Sequence, residues 1–247
     1  MQSFVKQLAR FWPPANRRAS DKIDQCLARA QDDVAAGLGS PEYYADEYRR
    51  REIGYWEHIL GWIARMPRGS RVLDVGAAYG TLAVFSRRLL DAEVTIVDAV
   101  PYYQPAALLA REGIRHITRN IELDSIADLG LFDLVIFTEV LEHLNFRAAP
   151  SLAKLRDALV PGGSIVLSTP DAESKWGRFT KYYARIEDLP DADPNAAWID
   201  DHVWQYDRTE LEAALSNAGF RIREVAIARG NDGFTHLNAR AVRPRFR

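Results

Sequence analysis

The chain holds one cysteine, Cys26, among 247 residues. A lone cysteine excludes an internal disulfide and any cysteine-built metal cluster, and it fits a reducing compartment. No apolar run approaches the about 18 residues that a membrane-spanning helix needs. Lys6 and Arg10 interrupt the apolar residues at the N-terminus, so no signal-peptide core is present and the expected location is cytoplasmic. An excess of one charge is missing too. With 32 Lys/Arg against 34 Asp/Glu the net charge is −2, which gives no global basic field for nucleic acid. Internal repeats and low-complexity segments are absent. No G-K-[ST] follows the glycines, so the chain lacks that polyphosphate cradle.

What is present suits a globule with a sizeable core: 47% hydrophobic and 27% charged residues. The two ends are more basic than the whole. Residues 220–247 hold seven Arg against two acids, a solvated surface or a contact for a polyanion. Phe4, Val5, Leu8, Phe11 and Trp12 form a weak amphipathic pattern. Residues 1–40 read as a helical preface and Glu42–Met66 as mostly helical. Strand and helix then alternate. Strands are expected at Val72–Val75, Val94–Val97, Ile114–Thr118, Leu134–Phe137 and Ser164–Ser168. Helices are expected near Thr81–Leu90, Tyr103–Glu112 and Arg147–Leu159. Alternation of this kind predicts a parallel sheet with helices on both faces. A helix over Asp207–Asn217, capped by Asp207 and ended by Gly219, precedes an antiparallel pair, Arg221–Ala228 and Thr235–Val242, joined at Gly230–Gly233. The fold class is therefore α/β, a doubly wound, mostly parallel seven-stranded Rossmann-like sheet with an antiparallel closing pair. A helical N-terminal extension (1–66) precedes the main domain (67–247).

The organising stretch is Arg71–Gly80, RVLDVGAAYG. A buried strand runs straight into Gly76 and Gly80, and a helix follows. Glycine lets the backbone turn sharply and approach a ligand, and a helix N-terminus presents free N–H groups. In such a sheet, ligands bind beyond the carboxyl ends of the strands. Asp74 ends strand one. Asp98 ends strand two, where a carboxylate can accept from both hydroxyls of a ribose. Asn120 follows strand three, and Glu139, Glu142 and His143 follow strand four.

These segments resemble the class I S-adenosylmethionine (SAM) methyltransferases. RVLDVGAAYG is similar to their first motif, TIVDA to the second, FDLVIFTEVLEHL to the strand-four motif and LVPGGSIVLSTP to the strand-five motif. Ala78 departs from the pattern, which has its middle glycine there. The resemblance implies that SAM, with S-adenosylhomocysteine (SAH) as product, is held by Asp74, Gly76, Ala77, Gly80, Asp98, Ala99, Asn120, Ile121 and Glu139. By the same resemblance Tyr44 would close over it from the N-terminal segment, while the residue pattern itself favours a tyrosine packed in the core or on a helix. A nicotinamide-type fold would want G-x-G-x-x-G, whereas the spacing here is G-x-x-x-G.

Glu139-Val-Leu-Glu142-His143 is the chemical centre of the sequence. On a helical turn, positions i, i+3 and i+4 share one face. Two carboxylates and an imidazole suit a hard divalent ion, Mg2+ or Mn2+. E-x-x-E-H resembles the ubiquinone-biosynthesis O-methyltransferases and the small-RNA 3′-end 2′-O-methyltransferases. In the RNA branch a downstream D-H-x-x-x-[WY] completes a metal site, and Asp201–Tyr206 is similar, which nominates His202. Three readings stay open: a metal held by Glu139, Glu142, His143 and His202, catalysis by His143 as base beside Glu142, or structural hydrogen bonds by Glu142 and His143. An imidazole's ordinary pKa of about 6.5 suits proton removal near neutrality.

Residues 171–206 are the expected acceptor cover, rich in aromatics (Trp176, Phe179, Tyr182, Tyr183, Trp198, Trp204 and Tyr206) that suit either stacking on a ring or sugar or a packing layer. Eight acids against four bases there argue against a nucleic-acid acceptor. The expected function is O-methylation of a small-molecule or glycan hydroxyl. The alternatives are a metal-dependent RNA 2′-O-methyltransferase and a non-catalytic SAM-binding scaffold.

Overall fold

The computed structural model describes residues 17–38, 44, 46–100, 103–174, 177–178, 181–230 and 233–245. The pattern read at Phe4–Trp12, the turn residues Asn231 and Asp232, and Trp176 and Phe179 lie outside them. Three helices open the described chain: α1 (Arg17–Gly37), α2 (Asp46–Tyr55) and α3 (Ile59–Ile63). The alternating core follows as β1 (Arg71–Val75), α4 (Thr81–Leu90), β2 (Glu93–Asp98), α5 (Ala106–Glu112), β3 (Arg115–Thr118), β4 (Phe132–Thr138), α6 (Ala148–Asp157) and β5 (Leu159–Pro170). It closes with α7 (Arg208–Asn217), β6 (Arg221–Arg229) and β7 (Thr235–Val242). The seven strands lie in the order β3-β2-β1-β4-β5-β7-β6. β7 runs antiparallel to both β5 and β6, and the other pairs are parallel.

Period-two alternation within the apolar strands builds two core layers. Leu73, Val75, Val135, Phe137, Ile165 and Leu167 face α6 and α7. Val72, Val94, Ile96, Leu134, Ile136 and Val166 face α4, α5 and the N-terminal helices. Each fully buried Leu, Ile or Val stabilises the fold by about 1.5–3 kcal/mol relative to leaving it in water. The N-terminal extension shares the second layer: Ile23, Leu27, Val34, Ile59 and Ile63 belong to the same core as Val72 and Leu134.

Local chemistry sets the element ends. Asp207 accepts from the Glu210 amide at 2.8 Å while Glu210 accepts from the Asp207 amide at 3.0 Å, a capping box worth about 1 kcal/mol. Gly219 takes a φ of 83° and ends α7. Two expectations are corrected. α5 starts at Ala106 rather than Tyr103, because Pro105 disfavours helix in the residue before it. β5 begins at Leu159, so the Pro161-Gly162-Gly163 turn lies within the strand as a register shift. No helix among the described residues is long and apolar enough to cross a membrane.

Candidate active site

The C-terminal ends of β1, β2 and β4 open onto a cleft of about 410 Å³. The turn after β1 forms its floor. The Gly76 amide donates to Val97 O at 2.9 Å, and the Gly80 amide donates to Ala77 O at 2.7 Å. Gly76 takes a φ of 69°, and a Cβ there would lie 2.4 Å from Val140 Cγ2, so two backbone segments meet where only glycine fits. Ala78, standing at the position of the expected middle glycine, adopts a φ of 46°. The loop thus keeps a left-handed backbone, which costs an alanine about 1–2 kcal/mol.

Several expected cofactor residues line the cleft: Gly76, Asp98, Ala99, Asn120, Ile121 and Glu139. The Asp98 carboxylate accepts from the Ala78 amide at 3.3 Å, the Val100 amide at 3.2 Å and Gln104 Nε2 at 3.1 Å. Burial raises its pKa, and these amides partly offset the effect. Asn120 Oδ1 accepts from the Glu122 amide at 2.8 Å, a tight local turn.

Asp74, Ala77, Gly80 and Tyr44 are not among the lining residues. Asp74 is 2% exposed and its Oδ2 has no partner. Desolvation, then the charge of Asp98, pushes its pKa up to about 8, against the pull of the Ala83 amide. Its burial under the turn thus favours the neutral, protonated form. Gly80 caps α4 with a φ of 79°. Tyr44 is buried; its hydroxyl hydrogen-bonds to Glu52 and, at 2.7 Å, to Thr81 at the start of α4, while its ring packs on Tyr79.

The strand-four cluster departs from a helical turn. Glu139 has a φ of 53°, and a short 3₁₀ turn begins only at Leu141. The kink separates the two carboxylates. Glu139 accepts from Ser168 Oγ at 2.7 Å and faces His236 Nδ1 at 3.1 Å. Glu142 is 1% exposed; Oε2 accepts from Thr169 Oγ1 at 2.9 Å and Oε1 has no partner. Desolvation, then the charge of Glu139, holds its pKa well above the usual carboxylate range. Donor atoms of Glu142, His143 and His202 lie within 4.8 Å of one another. Glu139, the fourth residue of the expected set, is not in that group. Both imidazoles meet edge to face at 4.7 Å. Desolvation, then the neighbouring His143, lowers the pKa of His202. His143 Nδ1 lies 3.0 Å from Asp201 O, so Nδ1 carries the proton and Nε2 is left as the acceptor.

The expected cover is stitched to this turn. Glu142 O accepts from the Val203 amide at 2.7 Å and the Trp204 amide at 3.2 Å. Asn145 Oδ1 accepts from the Ile199 amide at 2.7 Å, and its Nδ2 donates to Ile199 O at 3.0 Å. Trp198, Ile199 and Asp200 thereby reach the cleft, with Trp198 half exposed on its rim. Trp204 and Tyr206, expected to cover the acceptor, lie in the core instead. The Arg178 guanidinium stacks 4.5 Å above the Trp204 ring.

Sequence reasoning missed Tyr103, Arg119, Glu122 and Val140 in the lining, and His236 behind Glu139. One signal for His236 was available. An antiparallel β7 starts where β5 ends, since Pro170 pairs with His236, so a polar residue opening that strand faces the site.

Comparison with known proteins bears on the same residues. The chain is 33% identical over 174 residues to the ubiquinone biosynthesis O-methyltransferase of Xanthomonas axonopodis pv. citri (strain 306), covering 65% of this chain and 66% of that one. It is 28% identical over 160 residues to the ribosomal protein L11 methyltransferase of a Rhizobium etli strain, covering 61% and 52%. The matches thus span about half to two thirds of these relatives' lengths. Among solved structures, the Burkholderia thailandensis 1,6-didemethyltoxoflavin-N1-methyltransferase aligns with a TM-score of 0.56 at 22% identity over 87% of each chain. NodS, an N-methyltransferase of Bradyrhizobium japonicum WM9, aligns at 0.56 and 20% over 81% of this chain and 99% of that one. Residues 45–225 match the family model described as a methyltransferase domain, and the chain belongs to that family, with the class I fold of SAM-dependent enzymes.

Proposed function

We propose that this domain transfers the methyl group of SAM to a hydroxyl of a small molecule or glycan. The observation that carries the reading is one cleft with two chemically distinct ends. Gly76, Asp98 and Asn120 offer turns and hydrogen-bond acceptors for a nucleoside, and His143 and Glu139 stand across from them. Asp98 would accept from the ribose hydroxyls, exchanging its present protein donors. His143 Nε2 would take the acceptor's proton, while the Asp201 carbonyl holds the other ring nitrogen. SAM, when bound, would supply an activated methyl group, which the deprotonated oxygen would take in line as the carbon–sulfur bond breaks, with SAH as the leaving product. Trp198 and Ile199 would exclude water from this end.

Calorimetry with SAH tests the cofactor half. Micromolar binding that falls at least tenfold in Asp98→Ala is expected, and absence of binding by the wild type overturns the reading. Release of SAH in an acceptor screen tests the other half. His143→Ala should lose about 10²–10⁴-fold in turnover with SAH affinity kept. Turnover with amines alone would replace the hydroxyl acceptor with a nitrogen one.

A second reading rests on the unpartnered Glu142 Oε1 beside two imidazoles. A buried carboxylate in that position holds either a proton or a cation. Glu142, His143 and His202 would ligate a divalent ion, and the two imidazoles suit Mn2+ better than Mg2+. Such an ion lowers the pKa of a bound hydroxyl. Saturable Mn2+ binding that Glu142→Gln abolishes is expected on this reading, and activity indifferent to EDTA discards it.

A further inference from the structure

Four arginines gather at the end of the sheet opposite the cleft. Arg221 opens β6, Arg223 occupies its bulge, and Arg243 and Arg245 follow β7. Together with Gly162 they line a groove of about 510 Å³. The placement follows from register: Val242 pairs with Arg221 on one side and with Ser164, where the parallel pairing of β5 with β4 resumes, on the other. The cleft lies at the other end of the sheet, beyond β1, β2 and β4, so at least the length of a strand separates the two, about 15–20 Å at 3.3 Å per residue.

No carboxylate lines this groove among the described residues. Elsewhere arginines hold acids closely: Arg88 has Asp33 and Glu112, and Arg178 has Asp207 and Glu210. One of the groove's guanidinia is also held by the backbone. Arg243 Nη1 donates to Asp157 O at 3.0 Å and to Leu159 O at 2.5 Å. Arg245 lies across Gly162, where a Cβ would come within 2.7 Å of Nε. Charges on an edge strand discourage unwanted pairing, and that accounts for Arg221 and Arg223 on β6. It does not account for Arg243 and Arg245, which come from beyond the last strand and turn to the same hollow.

We propose that this groove binds a compact phosphate-bearing anion of about diphosphate size, at a site separate from the methyl-transfer cleft. Guanidinium forks match phosphate oxygens two at a time, and four cations with no counter-charge among the described residues call for a multivalent partner. Among the described residues no aromatic side chain lines the hollow, so they offer a stacked base no platform. The apolar lining among the described residues is Val242 and Pro244, too little to insert into a bilayer. A hollow of this size also fits a small anion better than a duplex.

Titration of the whole chain with inorganic diphosphate at physiological salt tests the proposal. One saturable site is expected, weakened at least tenfold in Arg223→Glu/Arg245→Glu and several-fold in Arg223→Lys/Arg245→Lys, where charge stays but the fork is lost. SAH affinity and the melting temperature should stay as in the wild type, showing that the variants fold. Three results overturn it: no saturable binding, equal binding by the Glu pair, or displacement of diphosphate by SAH. Tighter binding of phosphatidylglycerol vesicles or of an RNA oligonucleotide through the same arginines also overturns it, in favour of a macromolecular surface.

Discussion

The His236 imidazole bridges the carboxylate of Glu139, with Nδ1 3.2 Å from Oε1 and 3.1 Å from Oε2, tying the start of β7 to the end of β4. Tyr55 from the N-terminal extension packs on the other side of the ring at 4.3 Å. Glu139 is held in a left-handed backbone and lines the cleft, so the pair fixes the orientation of a carboxylate on the cleft wall.

His236→Ala should therefore lower kcat about tenfold while SAH affinity changes little. His236→Asn, whose amide can reach toward Glu139 from about the position of Nδ1, should restore part of the loss. Steady-state SAH release separates kcat from KM. Equal loss in both variants would mean that the ring only fills space.

Gly76 and Ala78 make opposite predictions within one turn. Gly76→Ala places a methyl group 2.4 Å from Val140 Cγ2 at a φ of 69°. Val140 is β-branched and stiff, so the backbone must shift. Loss of about 2 kcal/mol or more in denaturant unfolding is expected. Ala78→Gly relieves a φ of 46° but frees the unfolded chain, so the net change is expected within about 1 kcal/mol of zero. A destabilising Ala78→Gly comparable to Gly76→Ala would show that the loop is not strained at residue 78.

Why the sheet was legible and the cluster only partly so follows from the range of the interactions. Val72–Val75 and Leu134–Phe137 announce buried strands because their neighbours in sequence share their environment, and Asp98 and Asn120 follow from the strand ends. Glu139 itself takes the left-handed backbone that breaks the helical spacing to Glu142, which no spacing rule foresees. Tyr206 reads as a surface aromatic because the partners that bury it lie far along the chain. His236 meets Glu139 across 97 residues, through a strand pairing that only the assembled sheet supplies.

Asn145 joins the strand-four turn to the cover through Ile199, and also donates to His143 O at 3.1 Å. Asn145→Ala leaves the Ile199 amide and carbonyl without these partners, at about 1–3 kcal/mol for a buried group. The loss should appear locally. Hydrogen exchange over residues 193–204 should quicken while β1 and β4 stay protected. Unchanged exchange there would show that the Val203 and Trp204 amides hold the cover without Asn145.

Glu52 sets the pH response of the N-terminal extension. Its carboxyl is buried beside α4, bonded to Tyr44, to Gln31 Nε2 at 3.1 Å and to Thr81 Oγ1 at 3.2 Å. Desolvation pushes its pKa up to about 7 from the ordinary 4.5, against the pull of these bonds. An acid whose folded pKa is raised binds its proton more tightly in the native state than in the unfolded chain. Its contribution is therefore full below about pH 4.5 and is lost as pH rises through about 7. The swing amounts to roughly 3 kcal/mol. Glu52→Gln removes the titration while keeping a neutral side chain of the same shape. Urea unfolding of the wild type should weaken from pH 5 to pH 8 relative to Glu52→Gln, whose own curve should be flatter in that window. Parallel curves for the two proteins would mean that Glu52 is ionised throughout, with Tyr44, Thr81 and Gln31 donating to a carboxylate whose charge they offset in full.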